Sequence, residues 1–260
     1  MKAHRQPPLI RASALLHIAA GPILIASPAA WQIVLAVLIA NHALLVAAGL
    51  WPTSSWLGPN LRRLPPGHAT HHVALTFDDG PDPEITPQVL EILARHEARA
   101  TFFVVGRRAA EQPELIRQMH EAGHCIGNHT WQHTPWFFFK TGKGLIDEIR
   151  RTQEVIQALC GVAPALFRAP AGIRGPFLQT ALGRTRLKLV SWTRRGFDTV
   201  EDKPDRILRR LLRNLRAGDV LLLHDHGSVR TATGTPVVIE VLPRLLEALH
   251  ERGLTTGPIS

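Results

Sequence analysis

The chain has 260 residues, 45% hydrophobic and 20% charged, with a formal net charge of +9; that balance excludes a disordered chain and accommodates one large α/β domain or two small ones. Two cysteines, Cys125 and Cys160, exclude a disulfide framework and leave open a single bridge or two free thiols. The positive excess comes without RNP, zinc-finger or helix-turn-helix signatures, which argues against nucleic acid as a partner and suits an anionic membrane surface or a phosphate-bearing substrate.

Residues 1–58 carry Lys2, Arg5 and Arg11 and no acid. Residues 29–50 (AAWQIVLAVLIANHALLVAAGL) are 22 uncharged positions, enough to span ~30 Å of hydrocarbon as a helix. Trp31 and Trp51 stand near its ends, at the level where indole rings prefer the headgroups. A shorter apolar run, residues 12–26, is interrupted by Pro22, and Ser27-Pro28 supplies the turn of a helical hairpin. A signal peptide competes with this reading, although the apolar run continues well past any plausible cleavage point. The basic N-terminus is expected in the cytoplasm. One span then places the following domain outside and a hairpin returns it to the cytoplasmic face, which Arg62 and Arg63 weakly favour. Membrane lipid is thus an expected partner, at the cytoplasmic membrane of a bacterium.

Residues 59–70 read as a Pro/Gly-rich linker and 71–260 as the catalytic domain. Strand-like runs fall at 72–77, 100–105, 124–127, 165–168, 187–192 and 219–223, with a weak one from Leu254. Helical patterns fall between them, at about 85–96, 111–122, 145–160, 176–184, 204–216 and 236–252. Alternation of this kind predicts a parallel sheet, and about seven units predict a distorted (β/α)7 TIM-like barrel. The chemistry of such a barrel sits at the C-terminal strand ends.

Polar residues fall at those ends. The first run leads into Asp78-Asp79-Gly80-Pro81 and the third into Asn128-His129-Thr130-Trp131-Gln132-His133. The fourth leads into Arg168-Ala169-Pro170-Ala171-Gly172, the fifth into Trp192 and Asp198, and the sixth into His224-Asp225. With 14 histidines, about one i,i+4 His pair is expected by accident. His68/His72 and His120/His124 therefore read as surface or linker residues. His129/His133 follows a strand directly, which lets two imidazoles on one side of a helical turn reach one metal. Two adjacent carboxylates after a buried run are costly unless paired or metal-bound. In extended backbone Asp78 and Asp79 point to opposite sides, so different jobs are expected of them. A His-His-carboxylate site leaves positions open for water and substrate.

Thr76-Phe77-Asp78-Asp79-Gly80-Pro81-Asp82, His129-xxx-His133, Arg168-Ala-Pro-Ala-Gly172, Trp192…Asp198 and Leu222-Leu-His224-Asp225 together resemble the ordered motif set of the polysaccharide deacetylase family (carbohydrate esterase family 4). That resemblance covers about residues 72–260. It implies Asp78 as general base, Asp79, His129 and His133 as ligands of a divalent metal (usually Zn2+), and Arg168 as the arginine orienting the base. It also implies Asp198 as the acid holding that arginine, His224 as general acid, and Leu222 as the residue against which the acyl methyl packs. Ala171 would contribute a backbone N–H to the oxyanion site, with Trp192 beside the substrate.

Some positions depart from the family's pattern. Ala171 stands where many members have an aromatic residue, Thr199 where a tryptophan often follows the acid, and Arg194-Arg195 where acidic or polar residues are common. These changes point away from a long neutral glycan and toward an anionic or phosphate-linked sugar. The resemblance therefore implies removal of an N-acetyl group from an amino-sugar glycan or a lipid-linked saccharide. A catalytically silent glycan-binding module is the alternative, although binding alone needs no base and acid pair. A glycosidase is disfavoured, since adjacent acids do not flank a bond. Residues 204–216 combine a leucine stripe with five arginines, either a barrel helix with a solvated basic side or a contact for anionic headgroups.

Overall fold

A computed structural model describes residues 6–65 and 71–259; Lys2, Arg5, and the part of the expected linker at 66–70, with His68, lie outside them. Helix α1 (Pro8–Ala26) and helix α2 (Trp31–Leu50) are joined by a 3-10 turn at Pro28–Ala30. They pair as a hairpin, with Asn41 Nδ2 donating to Ser13 Oγ at 2.9 Å and His17 and His42 meeting edge to face. Both helices are long and apolar enough to cross a membrane, and both lie near the N-terminus. They are compatible with a membrane anchor or a signal sequence.

Eight strands follow: β1 (His72–Asp78), β2 (Thr101–Val104), β3 (Cys125–Asn128), β4 (Leu166–Phe167), β5 (Lys188–Leu189), β6 (Arg194–Arg195), β7 (Val220–His224) and β8 (Thr255–Gly257). The intervening helices are α3 (Ile85–Arg95), α4 (Gly106–Glu111), α5 (Pro113–Glu121), α6 (Gly142–Cys160), α7 (Leu178–Thr185), α8 (Pro204–Leu212) and α9 (Val237–His250). The sheet order is β5-β4-β3-β2-β1-β7-β6, with β8 beside β1, and every pairing is parallel.

The period of two along each strand sorts side chains to opposite faces. Val73, Leu75 and Phe77 of β1, Phe102 and Val104 of β2, and Leu221 and Leu223 of β7 face the helices in the main core. Ala74, Phe103, Val190, Trp192, Val220 and Leu222 fill the interior of the curled sheet. The alternation leaves Asp78 and His224 side by side in register at the C-terminal ends of β1 and β7. Helix α6 buries Leu145, Ile149, Thr152 and Ile156 at helical spacing and stops at Gly161, whose φ of 73° suits a residue without Cβ.

The architecture corrects the expected barrel. Strand pairing does not close it, because β5 and β6 are both edges of an open, half-barrel-like sheet. The fifth expected strand is the two-residue β5, and the unforeseen β6 follows at Arg194–Arg195. The expected linker contributes to the wall. Leu61 N–H donates to Leu189 and its carbonyl accepts from Ser191 N–H, both at 2.9 Å. Arg63 pairs antiparallel with Asp219, its guanidinium on the Asp219 carboxylate at 2.6 Å. Residues 61–64 thus span the gap left between β5 and the start of β7.

The last turn of α2 also docks on the barrel. Ala48 and Gly49 are buried, and the Gly49 carbonyl accepts from Arg174 N–H at 3.1 Å. A Cβ at Gly49 would collide with the Arg174 carbonyl. The helix expected at 204–216 ends at Leu212. Arg210 and Arg206 of its basic side pair with Glu201 at 2.9 and 3.7 Å, and Arg244 of α9 pairs with Asp205 at 2.6 Å, as expected of a barrel helix. Cys125 and Cys160 are free thiols, and burial pushes Cys125 up to about 11.

Candidate active site

The mouth is assembled at the C-terminal ends of β1, β3, β4 and β7. Asp78 is the last residue of β1; Asp79, next along, has φ of 76°, so the chain leaves the extended conformation there. The two carboxylates accordingly do not diverge to opposite sides of the sheet as extended backbone would place them. Both serve the same mouth, with different partners. Gly80 has no room for a Cβ, which would collide with the Asp225 carboxylate.

Asp79 Oδ1 lies 3.2 Å from His129 Nε2 and 3.0 Å from His133 Nε2. Burial works against the charge on Asp79, but hydrogen bonds from both imidazoles, and their charge, hold it well below the usual carboxylate range. One atom from each of these three residues falls within 4.8 Å of the others. His129 is buried, and its Nδ1 is hydrogen-bonded to the Arg168 carbonyl at 2.8 Å, which presents Nε2 to the centre. Burial lowers the His129 pKa, and Asp78 and Asp79 more than reverse that, raising it. Two imidazole nitrogens and a carboxylate oxygen converging on one point, with the second nitrogen of a histidine tied to backbone, fit a divalent cation.

The expectation that His129 and His133 share a helical turn is corrected. The segment is an irregular loop in which Thr130 and His133 have φ of 69° and 52°. Hydrogen bonds hold it in place: Asn128 Oδ1 accepts from Thr130 N–H, Thr130 Oγ1 from His133 N–H, and Glu148 Oε2 from Trp131 and Gln132 N–H. Glu148 is buried on α6 and also meets Lys140 Nζ at 2.8 Å. Asn128 and Glu148 were missed as functional residues. An acid among the inward residues of α6 was the available signal.

Arg168 is fully buried between Phe103 and Trp192. Its Nη1 donates to Asp78 Oδ1 at 2.6 Å and to Thr76 Oγ1 at 2.8 Å, and its Nη2 to the Ser191 carbonyl at 3.1 Å. Burial lowers its pKa, with Asp78 opposing. Arg168 is therefore placed to orient Asp78, whose Oδ2 lies 3.9 Å from His129 Nε2.

Asp198 does not hold that arginine. Its Oδ1 meets His224 Nδ1 at 2.9 Å and its Oδ2 accepts from His224 N–H at 2.8 Å. The acid and the arginine belong to opposite flanks, because Asp198 follows β6, which pairs with β7, whereas Arg168 follows β4 on the other side of β1. Burial depresses the His224 pKa, but Asp198, and then Asp78 and Asp79, raise it overall. Asp225, the next residue, is buried with its carboxylate accepting from Thr86 Oγ1 at 2.7 Å and Gly80 N–H at 3.2 Å. Burial pushes it up to about 7 against those hydrogen bonds, aided by Asp79.

The three expected substrate positions come together less evenly. Leu222 is buried against Trp192 inside the barrel. Trp192 is also buried; a Cβ on Gly172 would stand 2.7 Å from its ring, so it supports the Pro170–Gly172 turn. Ala171 is exposed in that turn at φ of 52°. Arg194 is committed to Asp219 at 3.5 Å and the Asn214 carbonyl at 2.7 Å, and Arg195 covers Phe197. A groove of about 1410 Å3 runs along the seam between residues 59–63 and β5, with Arg62, Arg186 and Lys188 on its walls. Its lining continues past β5 to Trp192 and Arg194 and includes none of the mouth histidines.

Among the described residues, eight non-glycine positions have positive φ, and Asp79, Thr130, His133 and Ala171 are four of them. Such strain, of order 1–3 kcal/mol each, persists where surrounding contacts over-determine it, and it clusters at functional sites. A carboxylate held by an arginine, a ligand triad and a histidine backed by a buried acid form the apparatus of a hydrolase for amide bonds.

Comparison with known proteins agrees. Residues 67–189 match the family model described as polysaccharide deacetylase. A chitooligosaccharide deacetylase of Bradyrhizobium sp. is 36% identical over 197 residues, covering 73% of this chain and 90% of that protein. A peptidoglycan-N-acetylglucosamine deacetylase of Bacillus cereus is 32% identical over 218 residues, covering 81% and 93%. The solved family 4 carbohydrate esterase from Streptomyces lividans, in complex with acetate, superposes with a TM-score of 0.65 at 32% identity, covering 74% of this chain and 94% of that one. The chain belongs to the polysaccharide deacetylase family. It is a polysaccharide N-deacetylase, a hydrolase acting on amide bonds.

Proposed function

We propose that the protein is a zinc-dependent deacetylase that removes the N-acetyl group of an amino sugar, in an oligosaccharide or lipid-linked saccharide, at the membrane surface. The observation that carries this reading is the division of one mouth into three parts: Asp79-His129-His133, Asp78-Arg168 and His224-Asp198. A divalent cation bound by Asp79, His129 and His133 would polarise the amide carbonyl and acidify water.

The chain's own residues handle the protons. Asp78 Oδ2, the oxygen not engaged by Arg168, takes a proton from water as its oxygen adds to the carbonyl carbon. The Ala171 N–H, set by its left-handed turn, is the donor for the oxygen that gains charge. His224, with Nδ1 spent on Asp198, gives a proton from Nε2 to the nitrogen as the C–N bond breaks. Acetate and a free amine leave. Leu222 and Trp192 supply the apolar wall for the acyl methyl.

Membrane attachment is part of the proposal, supported by the two apolar helices. A hairpin keeps the barrel on the side of the N-terminus, and the early Lys2, Arg5 and Arg11 place that side in the cytoplasm. The test is metal analysis of the purified protein coupled to acetate release from chitooligosaccharide, peptidoglycan fragments and an N-acetylglucosamine-bearing lipid. Stoichiometric zinc with acetate release from at least one of them is expected. Undiminished release after the metal is stripped sinks the zinc reading.

A further inference from the structure

Three backbone segments meet where α2 reaches the barrel. Arg174 N–H bonds the Gly49 carbonyl, and Arg174 Nη2 bonds the Ser54 carbonyl at 2.6 Å. A Cβ on Gly172 would stand 2.6 Å from Pro52, and one on Gly175 would collide with the Phe138 carbonyl. The end of the helical hairpin, the loop after β4 and the loop after His133 are therefore contiguous.

Each segment leaves a large apolar side chain in the open. Trp51 and Trp56 on the first, Phe177 on the second, and Trp136 and Phe139 on the third are all more than half exposed. Trp136 and Phe139 stack on each other at 6.2 Å. Trp136 is three residues beyond His133, so this patch belongs to the rim of the catalytic mouth. Exposed apolar clusters of this kind mark interaction surfaces. The patch is continuous with α2, whose Ile33, Ile39 and Val46 are likewise uncovered. Tryptophan is enriched at the headgroup level of bilayers.

We propose that residues 134–140 and 173–177 form a membrane-seating rim that rests in the phospholipid headgroup layer beside α2. The mouth then opens along the bilayer surface, and the amino sugar reaches it on a lipid carrier. This rests on the membrane reading of α1 and α2.

The test uses the full chain with Cys125→Ser and Cys160→Ser, reconstituted in phosphatidylcholine–phosphatidylglycerol nanodiscs. Spin labels are attached at Trp136→Cys, Phe177→Cys, Ile39→Cys within α2, and Val162→Cys, an exposed position before β4. The ratio of oxygen to nickel-chelate accessibility is expected to be severalfold higher at 136 and 177 than at 162, and highest at 39. Aqueous values at 136 and 177 beside a lipid value at 39 overturn the rim and leave the anchor standing. An aqueous value at 39 overturns both. A second arm follows turnover of an N-acetylglucosamine-bearing lipid by Trp136→Ser/Phe139→Ser. A loss of at least fivefold in nanodiscs with none in detergent micelles is expected, and equal turnover in nanodiscs overturns the lipid-carrier route. If the wild type releases no acetate from this lipid in either setting, the lipid-carrier route falls with it, and the spin labels still decide the rim.

Discussion

The two flanks of the mouth use the same residue types in opposite senses. On the β3 flank, the carboxylate of Asp79 lies on the Nε2 atoms of His129 and His133, while His129 spends Nδ1 on a backbone carbonyl. On the β7 flank, the carboxylate of Asp198 lies on Nδ1 of His224. The first arrangement brings three potential ligand atoms to a common centre and builds a ligand set. The second sets a carboxylate on Nδ1, which raises the pKa of the ring and leaves Nε2 available, and builds a proton donor. His124, outside the mouth, shows a third use: its Nδ1 accepts from Ala100 N–H at 3.2 Å, which a protonated ring does not permit. Which nitrogen is occupied, and by what, decides what a histidine does.

Substitutions can break this contrast. The largest effect is expected for His129→Ala, with loss of stoichiometric zinc and a fall in kcat/KM of about 1,000-fold or more, the equivalent of several kcal/mol. Full zinc content in that variant removes His129 from the ligand set. Asp78→Asn is expected to keep the metal and lose about 100- to 10,000-fold in kcat, the range of a general base; a variant with normal turnover leaves Asp78 without that role.

Asp198→Asn sharpens the other flank. Asp198 raises the His224 pKa, and an acid works only below its pKa. Removing that charge is expected to shift the basic limb of the pH–rate profile to lower pH, with a drop in kcat of about tenfold or more. A shift of the acidic limb alone contradicts the assignment. Glu148→Gln is expected to act more mildly, weakening zinc affinity by about tenfold through the loop carrying His133, as read by competition with a chelator.

The smallest effect concerns His124. Burial, with Arg99 adding to it, lowers its pKa from 6.5 to about 4. The unfolded chain therefore binds the proton first as pH falls. The stability this histidine contributes is fully present above about pH 6.5 and is lost as pH drops toward 4. By pH 5.5 the loss is about 1 kcal/mol. Urea midpoints for the wild type and His124→Gln should differ in their slope between pH 7.5 and 5.5, and parallel profiles contradict the prediction.

Much of the mouth was legible because strand ends punctuate apolar runs. Asp78, His129, Arg168 and His224 each follow a buried run directly, so their convergence needed only the parallel-barrel rule. Asp198 was placed on the wrong partner because it lies on an irregular segment after β6, where no periodicity indicates direction. Glu148 escaped notice, and Asn128 and Asp225 were legible only as polar strand ends without a role, because their roles are hydrogen bonds made across the fold. The open edge between β5 and β6 was hidden for a similar reason. Residues 61–64 look like a linker, and only their pairing with Leu189, Ser191 and Gly218 makes them part of the wall.

By itself the sequence determined the apolar N-terminal segment, the strand–helix alternation and the residue types at the mouth, because each depends on local order along the chain. Tertiary structure alone decided which imidazole nitrogen meets which carboxylate, how the left-handed turns at Asp79, Thr130 and His133 aim the ligands, and where α2 meets the catalytic rim. Those features depend on distances between segments far apart in sequence, set by packing around buried groups such as Arg168.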